Sequence, residues 1–212
     1  MEQQAEVKEV GGKDFFTDLL ESFVIAISIS LFIGFTLVVP NKVEGQSMEP
    51  TFHNAELLLT NKVSQWLGGT DFGKTLGLDY QRGDVVIFDE YGVDYIKRVI
   101  AVGGDIVRIN DGKVFVNGKE LEEKYLPETT LTYCYSGEIA FLEDNQVKRV
   151  PEGHYFLLGD NRGNSKDSRF TDIGFVPRDY LLGKVFFRYW PINDISTITT
   201  GEFIERDITT SD

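Results

Sequence analysis

From Ser22 to Asn41 the chain carries no charged side chain: SFVIAISISLFIGFTLVVPN. As a helix those 20 residues reach about 30 Å, the thickness of a bilayer's hydrocarbon core. A soluble chain of 212 residues has no need of a helix that is apolar on every face. The run is therefore expected to be a transmembrane anchor over 18–40, behind an acidic segment 1–17. Pro40 ends it, because its ring removes a ladder donor and crowds the preceding turn. A cleavable leader does not fit: the residues ahead of the run are net negative, and Thr36, Leu37 and Val38 offer no small-x-small site. Orientation is not set by charge, since Lys8 and Lys13 precede the run while Lys42 and Lys62 follow it.

Past Asn41 the chain changes character. Short β-branched and aromatic runs alternate with Gly, Asn and Asp, which predicts strands joined by turns. Gly83–Phe88, Tyr95–Val102, His154–Leu158 and Lys184–Trp190 are the expected strands. Asp111-Gly112 and Asn117-Gly118 are turn signals, and the second predicts a type I′ hairpin over residues 113–121. Short helices are expected near Glu56–Trp66 and Arg178–Leu182, and a frayed acidic tail over 201–212. The fold class is thus mainly β: one transmembrane helix, then a twisted antiparallel β domain. That domain spans 41–103 and 153–200, with a hairpin-rich β insertion over 104–152.

Composition narrows the function. Apolar residues at 42% and aromatic residues at 13% are ample for an ordered core. With 21 Lys and Arg against 34 Asp and Glu, the net charge is −13, which excludes a basic nucleic-acid-binding face. Cys134 stands alone, so no intramolecular disulfide and no cysteine-rich zinc site can form. Only His53 and His154 are present as imidazole ligands. No metal and no cofactor is expected, and any chemistry must run with little histidine.

Two polar constellations invite that chemistry. Ser47 lies in Glu44-Gly45-Gln46-Ser47-Met48-Glu49-Pro50-Thr51, a few residues past the anchor. Lys97 lies in Asp94-Tyr95-Ile96-Lys97-Arg98-Val99-Ile100-Ala101-Val102-Gly103-Gly104-Asp105, where strand alternation places it with Tyr95, Val99 and Ala101. Alone, the serine reads as a turn residue and the lysine as a snorkelling one. Together they read differently: a serine hydroxyl needs an adjacent base, and a desolvated lysine amine can be that base. The loop Gly159–Arg169, GDNRGNSKDSR, has the oxygens of a calcium loop but not its spacing: Arg162 stands at the third ligand position and Gly163 comes fourth instead of sixth.

With these boxes in order, the sequence resembles the bacterial type I signal peptidases, membrane-bound serine endopeptidases that remove signal peptides from exported preproteins. The resemblance covers the anchor, the G-x-SMEPT box, GDVVIF, YIKRVIAVGGD and GDNRGNSKDSR. It implies the signal-peptidase-like fold, Ser47 as nucleophile, Lys97 as general base, and Ser165 hydrogen-bonded to Lys97 and orienting it. It implies a charge-paired scaffold of Asp160, Arg162, Asp167 and Arg169, and a substrate pocket lined by Val43, Met48, Phe52, Tyr95 and Ile96. The pocket should admit small residues of an Ala-x-Ala-like site. The implied partners are preproteins, the lipid bilayer and, by proximity, the export machinery. The implied location is the cytoplasmic membrane, single-pass, with the catalytic domain outside.

Many relatives carry a hydroxyl residue two positions before the nucleophile as an oxyanion donor, and this chain has Gly45 there. The Ser47 N–H is one expected donor, with the Gly45 backbone or a bound water as the second. Three alternatives stay in view: a Ser-His-Asp triad using His53 or His154, a self-cleaving Ser/Lys regulator, and a membrane-anchored β module that only binds. Cys134 is expected to be a packing residue.

Overall fold

The structure is a computed structural model and describes residues 12–207. The start of the acidic N-terminal segment, to residue 11, and the end of the tail, 208–212, lie outside the described residues.

Helix α1 spans Gly12–Leu37. Its window Phe15–Phe32 is long and apolar enough to cross a membrane, and none of it is buried within the protein. Phe15, Leu19, Phe23, Leu31 and Phe32 are each more than half exposed, apolar surface of the kind a lipid phase would cover. Three of its hydroxyls bond back to the helix: Ser22, Ser28 and Thr36 donate to the carbonyls of Asp18, Val24 and Phe32, four residues back. The helix ends three residues before Pro40, where the β-branched Val38 and Val39 turn to extended backbone.

The rest of the described chain is a separate unit of antiparallel sheets. In chain order its strands are β1 (Val38–Lys42), β2 (Leu57–Asn61), β3 (Val85–Glu90), β4 (Val93–Val102), β5 (Ile106–Asn110), β6 (Lys113–Val116), β7 (Lys119–Glu123), β8 (Val147–Arg149), β9 (His154–Leu158), β10 (Val176–Pro177), β11 (Leu181–Trp190), β12 (Ser196–Thr197) and β13 (Phe203–Arg206). The larger sheet runs β1-β2-β11-β3-β4-β9-β10, with β12 added to β11; the smaller runs β13-β7-β6-β5-β8. Pro40 is tolerated because β1 is an edge strand, where a missing donor costs no ladder bond on the open side.

Several local expectations change here. Leu57–Asn61, expected within a helix, is a strand, because β1 and β11 pair with it on either side. A π-helical turn follows at Ser64–Gly68, then α2 at Asp71–Thr75. Phe203–Arg206, expected to fray, pairs in register with Glu120–Glu123 of β7. Asp111-Gly112 and Asn117-Gly118 all take positive φ, as type I′ turns require, and join β5-β6 and β6-β7.

Three apolar clusters fix the geometry. Ile100, Ala101, Phe156 and Leu158 of the larger sheet pack with Val107, Ile109, Val114, Val116 and Leu121 of the smaller one. Val86, Phe88, Val99, Tyr155 and Leu157 form a second cluster with Val176 and Leu181. Val85, Ile87 and Val185 form a third with Val43, Met48 and Phe52, which seats the loop carrying Ser47. The strand β4 carries a bulge: Arg98 and Val99 face Leu158 and Leu157, but Ala101 faces Phe156, so Ile100 is the extra residue. Alternation therefore holds from Tyr95 through Lys97 to Val99 and then breaks, and Ala101 joins the opposite cluster rather than the lysine's face.

Candidate active site

The serine loop is closed at its base by strand-like pairing: the Val43 N–H donates to Glu56 O (2.8 Å) and the Ala55 N–H to Val43 O (2.9 Å). Met48 and Phe52, both buried, pin it to β3. A turn closed by the Phe52 N–H on Met48 O (2.9 Å) leaves Ser47 half-buried at its rim. From the other side comes the loop after β9. The Asn161 N–H donates to Ser47 O and the Asn161 side-chain amide to Gln46 O, each at 3.0 Å. Because the peptide is planar and trans, holding Gln46 O on one side turns the Ser47 N–H to the other. That N–H donates to no group among the described residues.

Lys97 enters from β4, opposite Val86 and on the face of Tyr95 and Val99. It is 2% exposed. Its amine donates to Ile96 O at 2.7 Å and lies 2.7 Å from Ser47 Oγ. Burial pushes the amine down to about 8, against the opposing pull of the buried carboxylates Asp167 and Asp160. That shift from 10.5 amounts to about 3 kcal/mol against the charged form. The pair can thus do what an isolated serine and lysine cannot: with its value lowered to about 8, the amine sheds its proton far more readily than a free lysine and then offers a lone pair at hydrogen-bond distance from a hydroxyl.

The scaffold is more extended than expected. Asp160 forms a buried two-pronged pair with Arg98, at 2.9 and 2.6 Å, and Tyr125 lies 3.7 Å beneath that guanidinium. Asp167 pairs with Arg169 in the same way, at 2.8 and 2.9 Å, and also accepts the Gly159 N–H. Arg162 pairs with Glu123 of β7 and donates to Thr132 Oγ1 (2.6 Å) and Gly159 O (3.0 Å). The four expected residues are all present, but Arg98, Glu123, Tyr125 and Thr132 were missed. Arg98 had a local signal, an arginine beside the lysine on a buried strand; Glu123 and Thr132 come from the insertion and had none.

Three other expected contacts differ. Ser165 is buried, but its Oγ has no hydrogen-bond partner among the described residues; the Lys97 amine is directed to Ser47 and Ile96 O. The Gly45 N–H is not open as an oxyanion donor: at φ +89° it donates to Asn54 Oδ1 (2.9 Å). A cavity of about 590 Å³ opens beside Ser47 and Lys97, and of the five expected pocket residues only Tyr95 lines it. Val43, Met48 and Phe52 are sealed in the core and Ile96 packs against them; seating the loop requires their burial. Glu44, Gly45, Gln46, Asn54, Asn164 and Lys166 complete the lining. Neither histidine is the serine's partner: His53 Nδ1 faces Glu56 (3.4 Å) and His154 Nδ1 faces Glu152 O (3.1 Å). Cys134 is half-buried against the first cluster.

What this β domain and this pair can carry out is the chemistry of a serine peptidase, with an amine where many such enzymes use an imidazole. The family follows from the sequence as a whole: the profile of the family described as "Signal peptidase, peptidase S26" matches residues 16–190, and the chain belongs to that family. A signal peptidase I of Bacillus licheniformis is 34% identical over 192 residues, covering 90% of this chain and 97% of its own. Signal peptidase I S of Bacillus subtilis (strain 168) is 30% identical over 188 residues, with 89% and 96% covered. Signal peptidase I T of the same strain is 34% identical over 177 residues, with 82% and 86% covered.

Proposed function

We propose that this chain removes signal peptides from exported preproteins by cutting after a small-x-small, Ala-x-Ala-like site. Ser47 is the nucleophile and Lys97 the base. As Ser47 Oγ bonds to the scissile carbonyl carbon, its proton passes to Lys97 Nζ; the ammonium then protonates the departing amine, leaving an ester on Ser47. Water, deprotonated by the same amine, hydrolyses that ester. The observation that carries the reading is the 2.7 Å approach of a desolvated lysine amine to the serine hydroxyl.

Substrate would lie extended along β4. Strand β9 pairs with β4 only from Arg98 onward, so the stretch Val93–Lys97 keeps one unpaired edge beside Ser47's partner. Residues 41–103 and 153–200 act as the catalytic domain, with 104–152 as an insertion that supplies support through Glu123. Helix α1 anchors the chain in the cytoplasmic membrane with this domain on the outer side, near the export machinery. Tethering there raises the effective concentration of substrates whose own apolar segment is in the bilayer.

The test is incubation of the full chain in lipid with a preprotein bearing one Ala-x-Ala site, followed by mass determination of the products. Cleavage at that bond by the wild type, absent with Ser47→Ala, is the expected result. Cleavage elsewhere, or by Ser47→Ala, would refute the assignment.

A further inference from the structure

The tetrahedral intermediate on Ser47 would place a full negative charge on the former carbonyl oxygen, and a single backbone N–H is a thin complement to it. We infer that the side-chain amide of Asn54 is the second oxyanion donor, an inference that rests on the peptidase reading above. The Gly45 N–H, two residues ahead of the nucleophile, is committed to Asn54 Oδ1 at 2.9 Å. An N–H must meet an acceptor, so this bond fixes which way the amide is turned: Oδ1 towards Gly45, Nδ2 away from it. Nδ2 has no hydrogen-bond partner among the described residues, and Asn54 lines the same cavity as Ser47, Lys97 and Tyr95.

The two asparagines then divide the work. Asn161, through Gln46 O, turns the Ser47 N–H (3.0 Å bond), while Asn54 presents its own N–H from across the loop. When Ser47 Oγ adds to the carbonyl, the π pair moves onto oxygen and the proton moves to Lys97 Nζ; the two N–H groups meet that oxygen as its charge appears. A side-chain amide in this role makes the hydroxyl at position 45 dispensable, which accounts for glycine there. Gly45 in turn must adopt φ +89° to offer its N–H to Asn54.

The experiment measures kcat, KM and affinity for an alanine-ending peptide aldehyde, which adds to serine as a tetrahedral adduct. It uses wild type, Asn54→Ala, Asn54→Asp and Ser47→Ala in lipid. Asn54→Asp keeps the acceptor that holds Gly45, removes the donor and adds a carboxylate charge, so a kcat near wild type would be decisive against a donor role. Both Asn54 variants should lose about 10²–10³-fold in kcat, the scale set by oxyanion-donor deletions elsewhere. KM should stay within a few-fold, and aldehyde affinity should fall in parallel with kcat. If Asn54→Asp retains kcat within about threefold of wild type, the inference is overturned. Should Asn54→Ala alone lose activity, the residue acts only by holding Gly45. Activity in Ser47→Ala would instead overturn the peptidase reading itself.

Discussion

Glu123, at the end of β7 in the smaller sheet, forms a two-pronged ion pair with Arg162 of the site loop, and both side chains are almost fully buried. Arg162 in turn donates to Gly159 O, the residue that precedes Asp160. The insertion is therefore structurally part of the site's support. Glu123→Ala leaves a buried guanidinium without its carboxylate, which should cost about 3–5 kcal/mol. Chemical denaturation of wild type and variant checks this; a change under about 1 kcal/mol would show that the pair is not a support. Glu123→Gln, which keeps one acceptor, should fall between the two.

A methyl group on Gly159 would lie 2.1 Å from Ser165 Oγ and 2.5 Å from Ser47 O. Gly159→Ala must therefore push the Ser47 backbone, and displacements near 1 Å at a reacting group cost roughly 10²-fold in rate. The expected result is at least that loss in kcat with about 1–3 kcal/mol of destabilisation. Gly163→Ala, where the added carbon meets nothing within 4 Å, should behave as wild type and serves as the control.

Lys97 is held at a cost to the fold. Its folded-state pKa, about 8, lies below the unfolded value of about 10.5, so between those values the unfolded chain binds more protons and stability rises with pH. Below pH 8 the whole penalty is present. Lys97→Met should abolish cleavage and raise stability by about 1–3 kcal/mol at pH 7. The gain should shrink as pH rises through 8 towards 10.5. Thermal unfolding across pH checks both; a variant less stable than wild type at pH 7 would contradict the buried-amine account.

The apolar helix and the face of Lys97 were legible because each rests on a local pattern, whereas Ser47 stood out only through the resemblance of its box. An uncharged run of membrane length needs no partner to be recognised, and Lys97 follows from alternation over the few residues between Tyr95 and Val99. Ala101 was misplaced because the bulge at Ile100 comes from pairing with β9, which no local pattern records. Leu57–Asn61 reads as helical without its two sheet neighbours, and Phe203–Arg206 is ordered by distant partners, β7 some 80 residues earlier and Arg82 on Glu205. The carboxylate on Arg162 could not be assigned for the same reason: Glu123 is one acidic residue among many, and only the fold brings it there. Ser165 and Gly45 show a different limit. Their positions were clear, but the direction of a hydroxyl or an N–H depends on competing partners, here Ser47 and Asn54.

The central claim is that the neutral amine of Lys97 activates Ser47, and the pH dependence of kcat/KM tests it most directly. For the full chain in lipid on an Ala-x-Ala substrate, the acid limb should have its midpoint near 8 and rise with pH, leaving about a tenth of maximal activity at pH 7. Lys97→Ala should show no limb because it shows no activity, and His53→Ala should leave the profile unchanged. A limb near 6.5 that disappears in His53→Ala, or cleavage surviving in Lys97→Ala, would contradict the account and move the base to an imidazole.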